Sequence, residues 1–177
     1  MRIAKGTARI AVIGDRYTVK IANIHLRLGL MCLYSHGRRG AKSLVSYINW
    51  PIDSSASFKY HFIRGISENR REYRTSKALG DIVVPTRFSF LGILNIQETA
   101  EPHNLTPKSL WVGLRAKIGD GLKFTDAHTF SEPDNYGIHK GKLKLIDYGG
   151  ETANSTMLKY QRQFREVLGT LFRLAAQ

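Results

Sequence analysis

Cysteine is all but missing from this chain: Cys32 is the only one in 177 residues, which excludes an internal disulfide and a thiolate metal cluster. Inside the apolar run Leu28 to Tyr34 it reads as a small buried hydrophobe rather than a nucleophile, in keeping with a reducing cytoplasm. No apolar stretch reaches the roughly 18 residues that span a bilayer. Met1-Arg2-Ile3-Ala4-Lys5-Gly6 also lacks the apolar centre of a signal peptide, so the expected location is cytoplasmic, with no membrane partner. Acidic residues are scarce, 14 against 27 Lys and Arg, for a formal net charge of +13. Such a balance attracts polyanions and leaves open nucleic acid, nucleotide phosphates or an acidic protein partner, while also describing a merely solvated basic surface. No block of five like charges occurs; the nearest groups are Arg38-Arg39 with Lys42, and Arg70-Arg71 with Arg74 and Lys77. The six histidines show no spacing of three to five to a second His, and the lone pair of His36 with Cys32 four residues before it is too few ligands, which argues against a zinc site.

What is present suffices for one α+β domain, since 42% of the residues are apolar and 10% aromatic. Ala8 to Ile13 and Tyr17 to Ala22 flank Gly14-Asp15-Arg16, the pattern of a β-hairpin. Residues 24–50 are mixed, with helical spacing from Ala41 to Trp50, and Pro51 to Ser57 reads as a loop. Ser67-Glu68-Asn69 is placed to cap a helix running to Leu79. Short strands are expected at Ile82 to Pro85, Arg87 to Leu91 and Ile93 to Gln97, and Thr106-Pro107-Lys108 begins another helix ending near Ile118. A last helix, capped by Asn154 or Ser155, is expected to run to about Ala176 with Met157, Tyr160, Phe164, Leu168 and Phe172 on one stripe.

The most informative stretch joins Pro133-Asp134-Asn135-Tyr136-Gly137-Ile138-His139-Lys140-Gly141 to Lys142-Leu143-Lys144-Leu145-Ile146-Asp147-Tyr148-Gly149. Two short apolar strands around a Lys-Gly turn would hold an Asn amide beside an Asp carboxylate, oxygen ligands of the kind a hydrated Mg²⁺ takes. With Tyr17-Thr18-Val19-Lys20-Ile21-Ala22 upstream, the order resembles the protein-kinase-like superfamily, in particular small kinase-like proteins of bacteriophages. The resemblance implies a truncated kinase-like fold with an antiparallel N-lobe sheet carrying one helix and a minimal helical C-lobe carrying the hairpin. Residues 1–102 would be N-lobe-like, with an insertion at about 24–65, and 103–177 the reduced C-lobe. It further implies that Lys20 contacts nucleotide phosphates and pairs with Glu72, or with Glu68, on the helix. Asn135 and Asp147 would hold Mg²⁺ of Mg·ATP, and Asp126 in Phe124-Thr125-Asp126-Ala127-His128 would be the catalytic base, with Glu132 and Asp134 as stand-ins. Gly6, in Lys5-Gly6-Thr7-Ala8, would be the remnant of a phosphate loop, and Ile93 to Pro102 the strand and hinge beside an adenine.

Several departures accompany that pattern. Lys20 and Glu72 lie 52 residues apart, Asp126 stands nine rather than five residues before Asn135, and 27 residues follow Gly150. Three functions remain open: a minimal Mg·ATP-dependent phosphotransferase, an inactive kinase-like scaffold that binds a host protein or complex in the host cytoplasm through its basic surface, and a basic nucleic-acid-binding domain.

Overall fold

The computed structural model describes residues 1–52, 55, 57–122 and 127–175. A meander of β1 (Arg2–Lys5), β2 (Arg9–Ile13) and β3 (Tyr17–Ala22) opens the chain. Its second turn is closed by the Gly14 N–H donating to Tyr17 O at 3.0 Å. With β4 (Thr86–Phe90) and β5 (Leu94–Glu98) it forms a five-stranded antiparallel sheet in the order β1-β2-β3-β5-β4. The architecture is therefore α+β.

Two helices fill the mixed stretch 24–50, α1 (Leu26–Arg38) and α2 (Ala41–Asn49), the second where helical spacing is read, and α3 (Phe58–Phe62) follows the expected loop. All three fall within the expected insertion at about 24–65. The next helix, α4 (Arg64–Ala78), starts three residues before Ser67. Ile63 joins α3 to α4 with helical dihedrals of −117° and −28°, so no side-chain cap is required.

The expected strand at Ile82 to Pro85 does not join the sheet. Val83 instead forms a parallel bridge with Leu145, and the Val84 N–H donates to Leu145 O at 2.8 Å. Helix α5 (Pro107–Ile118) begins as its sequence dictates, with the Thr106 hydroxyl accepting from the Ser109 N–H and Pro107 in the first turn. After α6 (Ala127–Ser131), β6 (Tyr136–Ile138) and β7 (Leu143–Leu145) make the hairpin read from the sequence. The single final helix is corrected to two, α7 (Glu151–Lys159) and α8 (Gln161–Ala175), broken at Tyr160, whose ψ is 35°. Asn154 caps nothing: it lies within α7, and its amide donates to the Thr75 hydroxyl on α4.

Two interiors of opposite character result. Leu110, Leu114, Phe130, Leu145, Tyr148, Met157 and Phe164 are fully buried in one apolar cluster formed by the hairpin and the C-terminal helices. Between α4 and the sheet the buried side chains are instead Arg9, Lys20, Asn69, Glu72, Asn95 and Gln97. A polar interior holds only where its members bond one another, and that one contains the residues singled out above.

Candidate functional site

Strand pairing decides which side chains share a face. Ala11 lies opposite Lys20, and Lys20 opposite Asn95, so Arg9, two residues before Ala11, points to the same side as Lys20. Helix α4 lies on that side. The Asn69 amide donates to Gly92 O at 2.9 Å, and the Asn95 amide returns a bond to Asn69 O at 2.8 Å, which ties the helix to the sheet by its backbone.

Between these anchors five charged groups meet. Lys20 Nζ donates to Glu72 Oε2 at 2.8 Å and to Ile146 O at 2.8 Å. Arg9 donates to the same Glu72 oxygen and, through its other terminal nitrogen, to Asp147 Oδ1; its Nε lies 3.7 Å from Glu68. Glu72 is fully buried and Arg9 only 8% exposed, whereas half of the Asp147 side chain faces solvent. Burial lowers the Lys20 pKa below the ordinary lysine value, with the Arg9 charge adding to the effect and Glu72 opposing it. For Asp147 desolvation works upward, but the Arg9 and Lys20 charges outweigh it and hold the carboxyl below its usual range. Burial likewise acts against the Arg9 charge, yet Asp147, Glu72 and Glu68 together raise its pKa.

The hairpin supplies the other side. Ile146 N–H donates to Asn135 O at 2.7 Å, which continues the β6–β7 ladder by one pair and brings Asn135 next to the strand leading to Asp147. Gly149 lets the chain pass close to α4: a Cβ there would lie 2.9 Å from Glu68 O and 3.0 Å from Arg9 Nη1. The structure thus brings Lys20, Glu72 and Asp147 into one cluster, with Asn135 immediately before the adjoining strand β6. Gly6 stands apart from this contact, its N–H spent on Arg9 O in the β1–β2 turn at 2.8 Å. Asp126 lies outside the described residues.

Arg9 stands in the way of Mg·ATP at these residues. A Mg²⁺ ion needs carboxylate oxygens free to complete an octahedron, and Arg9 already engages Asp147 Oδ1. The Lys20–Glu72 pair does not itself bar a nucleotide, and the Asn135 amide, donating through its nitrogen to Thr129 O at 2.8 Å, keeps its oxygen as the atom a metal would take. In the segment expected to line an adenine, the Thr99 N–H is bonded to Arg16 O and the Glu101 N–H to Ile138 O, at 3.0 and 2.8 Å. Beside it opens a cleft of about 430 Å³, lined among others by Arg16, Glu98, Glu101 and His139. Among the described residues, no group of three or more His, Cys, Asp or Glu side chains is placed to hold a metal ion. No helix among them is long and apolar enough to cross a membrane.

Two functional features escape the sequence reading. Arg9 is one, a strand residue whose role depends on register. The other is Glu98, whose carboxylate is ringed by Arg87, His139 and Lys140. Burial would raise the Glu98 pKa, but hydrogen bonds from those three side chains bring it down to about 2. No protein-family model, curated protein or solved structure matches the chain.

Proposed function

We propose that the chain is a reduced protein-kinase-like scaffold that binds a partner and does not transfer phosphate. The observation that carries this reading is the Arg9 guanidinium, which lies between Glu72 and Asp147 and supplies the positive charge that a bound Mg²⁺ would otherwise provide. The kinase-like part of the reading is supported by the Lys20–Glu72 contact, made despite the 52 residues between them, and by the Asn135 and Asp147 hairpin. The net charge of +13 favours an acidic partner.

The test is thermal melting of the full chain with and without Mg·ATP. A nucleotide present at 100 times its Kd would add about 2.7 kcal/mol, which for a chain of this size is roughly 5–10 °C. The expected shift is below about 1 °C. A Mg²⁺-dependent rise of several degrees that disappears in Asp147→Ala would overturn the proposal. That result would favour the second reading, a minimal phosphotransferase in which Arg9 withdraws from a half-exposed Asp147 to admit the metal.

A further inference from the structure

The sheet is inside-out with respect to polarity. Its inner face, against α4, carries Arg9, Thr18, Lys20, Asn95 and Gln97, all buried. The pairings Ile3 with Val12, Val12 with Val19, Val19 with Ile96, Ile21 with Leu94, Ile96 with Phe88 and Leu94 with Phe90 put an apolar side chain from every strand on the opposite face. That face is open. Ile3 is 58% exposed, Phe88 49% and Phe90 55%, and Ile21 is exposed as well. A contiguous apolar patch across a whole sheet is too large to be incidental, and two exposed aromatics within it are the usual anchors of an interface.

Charge selects what covers it. Residues 1–67, which hold β1, β2, β3 and the helices α1 to α3, contain 11 Lys and Arg against two acidic residues, Asp15 and Asp53, so they carry +9 of the chain's +13. Lys5, on β1 opposite Ile10, and Arg16, in the β2–β3 turn beside Tyr17, are exposed next to the patch, while Arg87 at its other edge is paired with Glu98. A second copy of the chain would bring this cationic rim against itself, whereas carboxylates around an apolar stripe complement it. Nucleic acid is a poor match, because the centre of the face is apolar and its cations stand at the margin.

We infer that the outer face of the five-stranded sheet is a docking surface for an acidic protein that lays an amphipathic helix across it. Five strands about 4.8 Å apart make a face roughly 24 Å wide, the length of a helix of about 16 residues. Its apolar stripe covers Val19, Ile21, Phe88 and Phe90, and its acidic flanks meet the rim. This rests on the reading of the chain as a binding scaffold and names the surface and the chemistry of the partner.

The experiment is selection of a random helical peptide display library on the full chain, with Phe88→Glu/Phe90→Glu protein as counter-selection. Enriched peptides are expected to be net negative, to repeat apolar residues at helical spacing, to lose affinity with added salt, and to bind the variant at least about tenfold more weakly. No enrichment, enriched peptides that are neutral or basic, or equal binding to the variant would overturn the inference. Two parallel measurements test other occupants. A dimer in sedimentation velocity that the variant abolishes makes the occupant a second copy, and variant-sensitive binding to phosphatidylcholine vesicles doped with phosphatidylserine makes it a membrane; either result refutes the assignment. Should the double variant unfold, Ile3→Glu on the edge strand probes the same face. The Mg·ATP melting test is read on the wild type and Asp147→Ala, away from this face, so failure of either proposal is separately visible.

Discussion

Replacing Arg9 by Met keeps most of its volume and removes its charge, which isolates the electrostatic role of this side chain. Glu72 is fully buried and shares one oxygen between Arg9 and Lys20. Removing one partner of a buried ion pair costs about 3–5 kcal/mol, chiefly because the remaining charge is left without compensation. Lys20 stays 2.8 Å from Glu72 and the Thr86 hydroxyl 3.3 Å away, which puts the expected loss at the lower end, about 3 kcal/mol. Asp147 contributes little to that figure, because half of its surface is hydrated and an exposed pair is worth about 0–1 kcal/mol. Arg9→Met should therefore melt roughly 6–12 °C lower than wild type, and Asp147→Asn no more than about 4 °C lower. Urea denaturation of the three proteins at one pH gives the same order as free energies. If Asp147→Asn is as damaging as Arg9→Met, the guanidinium is held mainly by Asp147, and the account of a scaffold organised around Glu72 fails. Mg²⁺ supplies a second readout: with Arg9 gone, Asp147 is freed, and the ion should restore part of the lost stability in Arg9→Met but not in wild type.

Falling pH should remove the stability that Glu98 contributes. Its folded pKa of about 2 lies below the ordinary value of 4.5, so the stability it lends is complete above about pH 4.5 and is lost as the pH falls toward 2. The shift corresponds to about 3 kcal/mol, discounted to on the order of 2 kcal/mol because Arg87 and Lys140 are largely exposed. Glu98→Gln should be less stable than wild type by that amount at pH 7 and equal to it near pH 2; a gap that persists at pH 2 means the ion pairs are not its source. Gly149→Ala places a methyl against Glu68 O and Arg9 and should cost about 1–3 kcal/mol, whereas an unchanged melting point would show that the Asp147 segment packs less tightly on α4. Phe164→Ala empties a fully buried site beside Phe130, whose ring centroid is 5.1 Å away. A loss of about 3–5 kcal/mol is expected in urea titrations, and one below about 1 kcal/mol would place the apolar core elsewhere.

Much of the fold is legible in local chemistry. The Gly14-Asp15-Arg16 turn announces the β2–β3 hairpin, Thr106 and Pro107 start α5, and the short strands around Lys140-Gly141 form β6 and β7. The contact of Lys20 with Glu72 is what the kinase-like resemblance implies rather than what local chemistry shows, because 52 residues separate the two. What escapes depends on relations between elements. Residues 24–40 carry helix and strand signals of similar strength while Ala41 to Trp50 reads as helix, and packing of α1 to α3 on one another decides the stretch for helix. Tyr160 continues the apolar stripe of a single helix, yet the chain breaks there and lets α7 and α8 each face the core.

By itself the sequence determined the charge, the hairpins, and which side chains are able to form ion pairs, because these follow from composition and from neighbours in the chain. Tertiary structure alone decided that Arg9 stands beside Lys20, since a slip of one residue in the pairing of Ala11 with Lys20 would turn Arg9 to the other face. It also decided which face of the sheet is inside. In an isolated hairpin Thr18 and Lys20 belong to the solvent side and Val19 and Ile21 to the core. Helix α4 reverses that assignment by bringing Asn69 and Glu72 to the polar face, where Lys20 bonds Glu72 and the Asn69 amide bonds Gly92 O, and leaves the apolar face open.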